Sequence, residues 1–80
     1  FISGEINSKV ADPEGKIAEL KARYADGEQE TLDGISVTYP DWHFNVRGSN
    51  TEPLLRLNLE ALTQADMERR RDEVLAIIRA

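Results

Sequence analysis

Two stretches of this chain alternate apolar and polar residues strictly. Trp42, Phe44 and Val46 interleave with His43, Asn45 and Arg47, while Leu55, Leu57 and Leu59 interleave with Arg56, Asn58 and Glu60. A period of two predicts half-buried strands, and it puts Arg47 and Arg56 on polar faces. Ile35, Val37 and Tyr39 alternate with Ser36 and Thr38 in the same way. Nearer the start, Ile2, Ile6 and Val10 share a parity with Gly4 and Ser8, a partly broken alternation that predicts a first strand.

Helical spacing appears twice. Ile17, Leu20 and Tyr24 form one apolar stripe, preceded by Asp12 as N-cap, Pro13 at the first helical position and Glu14 at the positive end of the dipole. That predicts a helix over residues 13–25, with Gly27 as its stop. Met67, Val74, Leu75 and Ile78 form a second stripe behind a near capping box, Thr63 with Asp66, leaving Arg69, Arg70, Asp72 and Glu73 outside. A short run over residues 30–32, then Asp33-Gly34, reads as a strand and a two-residue hairpin turn; Pro40-Asp41 supplies another turn. The order is β-α-β-β-β-β-α. It predicts an α+β fold in which an antiparallel sheet carries two helices on one face and leaves the other free.

Eighty residues make a single domain, 1–80, that buries only about 60% of its unfolded surface, so a deep enclosed active site is not expected. The net charge of -5 repels polyanions and argues against nucleic acid as a partner. Without cysteine there are no disulfides, thiolate metal sites or Cys nucleophiles. The longest apolar run, ending at Ile78, falls far short of the roughly 20 residues that span a bilayer, and no signal-peptide pattern opens the chain. A soluble, cytoplasmic protein without a membrane partner is the expectation. Phe1 lies directly inside a strand pattern with no initiator Met, as expected of a piece cut from a larger multidomain protein.

Between the last two strand patterns lies Arg47-Gly48-Ser49-Asn50-Thr51-Glu52-Pro53. A guanidinium offers a planar fork of donors that matches two phosphate oxygens, Ser, Asn and Thr add neutral donors, and Gly48 lets backbone N–H groups approach. Such residues also populate ordinary connectors for backbone reasons. The chemistry is that of an anion cradle.

The stretch from Trp42 to Leu57 closely resembles the signature of the last domain of the α-D-phosphohexomutases, in particular the phosphomannomutase/phosphoglucomutase group. Ser3-Gly4-Glu5-Ile6-Asn7, the Asp-Pro helix and the closing amphipathic helix extend the likeness over essentially the whole chain. The resemblance implies a TATA-binding-protein-like fold and a loop, here Arg47, Gly48, Ser49, Asn50 and Thr51, that grips the non-reacting phosphate of a hexose phosphate during transfer between the 1- and 6-positions. Phosphoglucosamine mutases usually carry Gly where this chain has Asn50, which points to mannose and glucose phosphates. The family's phosphoserine, acidic Mg²⁺ loop and sugar-reading loop belong to earlier domains and find no match here. The resemblance therefore implies no catalytic or metal residue in this chain, with Mg²⁺ and a hexose 1,6-bisphosphate activator belonging to the full-length enzyme. Its partners would be the hexose phosphate and the other domains of the same polypeptide. Two alternatives stay open: a glucosamine- or acetylglucosamine-phosphate mutase, and a non-enzymatic α+β anion-binding module.

Other residues carry plainer expectations. Trp42 and Phe44 share the parity of Val46 and belong to the core; His43, the sole histidine, is expected as a half-exposed strand residue. Glu52 is expected to accept hydrogen bonds in the loop, Pro53 to fix the start of the next strand, and Arg69-Arg70-Arg71 to form a solvated helix face. Arg56 sits on the polar parity either near the ligand or paired with Glu60, and Glu5 has no assigned role.

Overall fold

The computed structural model describes every residue except Leu32 and Asn50. Seven elements follow the expected order: β1 (Ile6–Lys9), α1 (Pro13–Arg23), β2 (Glu28–Glu30), β3 (Ile35–Thr38), β4 (Trp42–Gly48), β5 (Leu54–Ala61) and α2 (Gln64–Ile78). The strands form one sheet in the order β1-β5-β4-β3-β2, with every pairing antiparallel. The alternation becomes burial: Phe44, Val46, Leu55 and Leu57 are essentially inaccessible, as are Ile35 and Val37 on β3. They meet Leu20 of α1 and Val74 and Ile78 of α2 in one cluster, so both helices cover the same face. Each such side chain contributes about 1.5–3 kcal/mol of burial free energy. Neither helix is long and apolar enough to cross a membrane.

The helix starts form as the residues dictate. Asp12 accepts from the Gly15 N–H at 3.1 Å, and Thr63 Oγ1 from the Asp66 N–H at 3.1 Å, each satisfying an otherwise orphaned first-turn donor. The end of α1 differs from expectation. It stops at Arg23, because Tyr24 leaves helical geometry (φ -112°, ψ 36°) to place its ring 5.1 Å from Phe44 and 5.8 Å from Trp42. Gln29, not a glycine cap, closes that end: its Nε2 donates to the carbonyls of Lys21 and Tyr24 at 2.9 and 2.8 Å.

Asp33-Gly34 is not a two-residue turn. Glu30 pairs with Ser36, so five positions lie between the paired residues, and at Asp33-Gly34 only Gly34 has positive φ (81°) where a type I′ turn needs both. The expected strand over 30–32 ends at Glu30, and its Leu32 position lies outside the described residues. Gly34 instead serves close approach: a Cβ there would come within 2.2 Å of the Val46 carbonyl and 2.8 Å of Arg47 Cα. Pro40-Asp41 does form a tight turn, with the Tyr39 N–H donating to Trp42 O at 2.8 Å.

The broken alternation at the start has a cause. Ile2 bridges Glu60, Ser3 N–H donates to Leu59 O at 2.8 Å, and Ile6 pairs with Leu57, so Gly4 and Glu5 together oppose Asn58. With Gly4 at φ 72°, this is a β-bulge of the glycine-first kind. The extra residue shifts the parity, leaving Ile2 exposed while Ile6 packs against the core.

Arg70 also departs from expectation. Rather than pointing to solvent, its guanidinium sits 4.6 Å from the Trp42 ring centroid and 3.2 Å from Glu73, whose carboxylate accepts the Tyr24 hydroxyl at 2.7 Å. Arg69 and Arg71 pair with Asp66 and Asp72 on the outside, as expected. Ile77, outside the predicted stripe, is buried as well.

Two predictions follow from these contacts. Gly34→Ala should lower unfolding free energy by about 1–3 kcal/mol, from positive φ and the overlap with β4; an unchanged urea midpoint would contradict that close approach. Burial, then the hydrogen bond to Asp26, pushes the Tyr39 phenol from 10.0 to about 12, and burial followed by Glu73 pushes Tyr24 further up. Because the folded state holds these protons more tightly, their stabilisation is complete below pH 10 and drains away as pH rises toward and past 12. Urea titrations of the Tyr24→Phe/Tyr39→Phe variant should show a shallower alkaline loss than the parent; an identical slope would be contrary.

Candidate anion-binding site

The strict antiparallel register of β4 and β5 sets Arg47 directly opposite Arg56, both on the helix-free face. Like charges facing each other across a ladder are destabilising. Little nearby charge relieves them. The nearest carboxylate to Arg47 is Glu5, with Oε1 at 3.9 Å from Nη2, too long for a hydrogen bond, and among the described residues Arg56 has no ion pair within 4.0 Å. Arg56 Nε is buried and has no hydrogen-bond partner among the described residues. A chain with net charge -5 thus concentrates two guanidinium groups at one spot, with only a loose approach of Glu5 to offset them.

Beyond the strand end, the chain folds back over Ser49 and Thr51. The Thr51 N–H donates to Ser49 Oγ at 3.3 Å, and the two hydroxyls lie 3.3 Å apart, which turns both side chains toward the same side of the loop. Arg47, Gly48, Ser49, Thr51 and Arg56, with Asp33 from the preceding loop, line one open cavity of about 390 Å³. A Cβ on Gly48 would meet only the Leu54 carbonyl, at 3.9 Å, so the space above this backbone is open. Pro53 anchors the far side, its carbonyl accepting the Val10 N–H at 2.9 Å.

The structure therefore gathers Arg47, Gly48, Ser49 and Thr51 into one cavity, while Asn50 lies outside the described residues. Arg56 belongs with them and is not paired with Glu60, which instead meets His43 Nε2 at 3.3 Å. Both arginines share polar parity and lie equally far from the loop centre, a signal usable only once the hairpin register is known. The half-exposed His43 sits four residues back along β4, about 13–14 Å from Arg47 by strand rise, and lies outside the cavity. The Glu52 carboxylate accepts none of the described loop hydrogen bonds; its backbone carbonyl takes the Leu54 N–H at 2.9 Å. A second depression of about 240 Å³ along the same face is lined by His43, Asn45, Asn58 and Glu60, a pairing of imidazole and carboxylate that lacks a free cation.

Residues 5–77 match the family model described as phosphoglucomutase/phosphomannomutase, C-terminal domain. The chain is 45% identical over 80 residues to a phosphomannomutase of Escherichia coli, covering 96% of this chain and 18% of that protein. It is 46% identical over 80 residues to the phosphohexose mutases of Xanthomonas campestris pv. campestris strain B100, with the same coverage. Over 76 residues it is 45% identical to a phosphomannomutase of Methanocaldococcus jannaschii, covering 95% of this chain and 17% of the relative. Among solved structures, a crystal structure of a phosphoglucomutase/phosphomannomutase family protein from Burkholderia thailandensis superposes with a TM-score of 0.71 at 31% identity, covering 96% of this chain and 17% of that one. The chain spans less than a fifth of the length of the curated relatives it matches. Sequence and fold agree, and the chain belongs to the phosphoglucomutase/phosphomannomutase C-terminal domain family.

Proposed function

We propose that this domain binds the non-reacting phosphate of a mannose or glucose phosphate within a longer phosphohexomutase, through Arg47, Gly48, Ser49, Asn50 and Thr51 joined by Arg56. The observation that carries this is the facing pair of arginines, one with a buried, unpartnered Nε, beside two converging hydroxyls. A phosphate ester carries about -1.5 to -2 charge at neutral pH and three acceptor oxygens. It meets both guanidinium groups at once and removes the repulsion that the empty site carries.

Binding here acts at a distance from the reaction. Holding one end of the sugar phosphate orients the other, so the free energy of the cradle is used for alignment rather than for bond making. Among the described residues no three His, Cys, Asp or Glu side chains cluster to hold a metal, and no step is assigned to Mg²⁺ here. Phosphoryl transfer, the metal and a hexose 1,6-bisphosphate activator are proposed for the full-length enzyme, whose other domains would supply the nucleophile.

In the full-length enzyme, Arg47→Ala should lower kcat/KM by at least tenfold, equivalent to about 1.4 kcal/mol of lost transition-state stabilisation. Arg56→Ala should weaken substrate binding in the same direction. Neither should lower the urea midpoint, since each removes a like-charge contact. Unchanged turnover in a folded Arg47→Ala protein would remove the assignment. Parallel assays on mannose, glucose and glucosamine phosphates separate the within-family alternatives.

A further inference from the structure

The bulge at Gly4-Glu5 lies outside the residues that line this site, yet it sends the Glu5 carboxylate to within 3.9 Å of Arg47. Ser3 fixes one side of the bulge by donating its N–H to Leu59 O at 2.8 Å and accepting the Leu59 N–H on Oγ at 3.0 Å, and the Ile6–Leu57 pair fixes the other. Between these anchors Glu5 lies beside Asn58 on β5, yet its carboxylate reaches past β5 to Arg47 on β4, 3.9 Å away. Two strand spacings separate those backbones, about 9–10 Å, so both long side chains extend toward each other to make the approach. Bulges at sheet edges commonly re-aim a side chain in this way. The contact is loose and both side chains are half-exposed, which rules out a rigid anchor and leaves a Coulombic role.

We propose that Glu5 is the resident counter-charge of the phosphate site, an affinity-setting residue that competes with the ester for Arg47. This rests on the phosphate-binding reading above. Arg47, Arg56 and Asp33 are the charged residues lining the cavity, with Glu52 further along the loop, and among the described residues Glu5 is the acid that pairs with one of these arginines within 4.0 Å. In the empty site its carboxylate offsets part of the charge of the arginine pair. When a phosphate dianion arrives at Arg47, Glu5 is the like charge already beside that guanidinium, and its repulsion keeps the ester from being held too tightly to exchange. The bulge residue thus tunes selectivity for ligand charge while the loop supplies the donors.

The test is calorimetric titration of the full-length protein with mannose 6-phosphate, with EDTA present to stop turnover. Glu5→Gln should bind about threefold more tightly than the parent at low ionic strength. The gain should vanish near 1 M salt, where the screening length falls to about 3 Å. Glu5→Asp, which keeps the charge, should bind like the parent. A Glu5→Gln protein that binds equally or more weakly at low salt, while Arg47→Ala still weakens binding, overturns the counter-charge and leaves the phosphate site standing. Tighter binding that persists at 1 M salt also overturns it. If Arg47→Ala binds like the parent, the phosphate reading and this inference fall together.

Discussion

The pairing of β4 with β5 is the constraint on which the rest of the structure depends. One register, from Trp42 opposite Ala61 to Gly48 opposite Leu55, buries Phe44, Val46, Leu57 and Leu59 on the helical side. The same register sets Arg47 against Arg56 on the open side. A slip of one residue would send the apolar row to water and the arginines into the core. Core and cradle are therefore held by a single set of backbone hydrogen bonds, which ties the position of the arginine pair to the stability of the domain.

The remaining elements hold that hairpin in place. At the Arg47 end, Gly34 brings the loop before β3 against the backbone of β4, and Pro53 ties the start of β5 to Val10 after β1. At the opposite end, Tyr39 stacks on Trp42 with ring centroids 4.9 Å apart, Tyr24 meets both edge-on, and Arg70 covers the Trp42 ring. The aromatic cluster thus stabilises the end of β4 away from the anion chemistry, while buried Val46, Leu55 and Leu57 pack on the other face of the sheet beside the arginine pair. A like-charge pair with so little compensation persists only where surrounding packing over-determines it, and here the two ends of the same strand divide that work.

Much of this was legible from residue order alone. The alternation over 42–47 and 55–60 forecast both the buried rows and the outward face of Arg47, and Asp12-Pro13 and Thr63 marked helix starts that the structure reproduces. What stayed hidden depended on pairing between distant segments. Nothing local shows that Gly4 and Glu5 share one partner, so Ile2 reads as sharing a row with Ile6 although it is exposed and Ile6 packs against the core. Asp33-Gly34 carries the residues of a tight turn, but its glycine is needed for contact with β4. Arg70 reads as solvated because its partner, Trp42, comes from a strand far away in sequence. Arg56 was visible as a polar-face residue, and only the β4–β5 register revealed it opposite Arg47.

The central claim is that two facing arginines and a hydroxyl-bearing loop receive one end of a sugar phosphate. A crystal structure of the full-length protein with a bound hexose monophosphate tests it most directly. The account predicts ester oxygens about 2.7–2.9 Å from the guanidinium nitrogens of both Arg47 and Arg56, with Ser49 and Thr51 hydroxyls in contact. An ester bound elsewhere with this loop empty would contradict it.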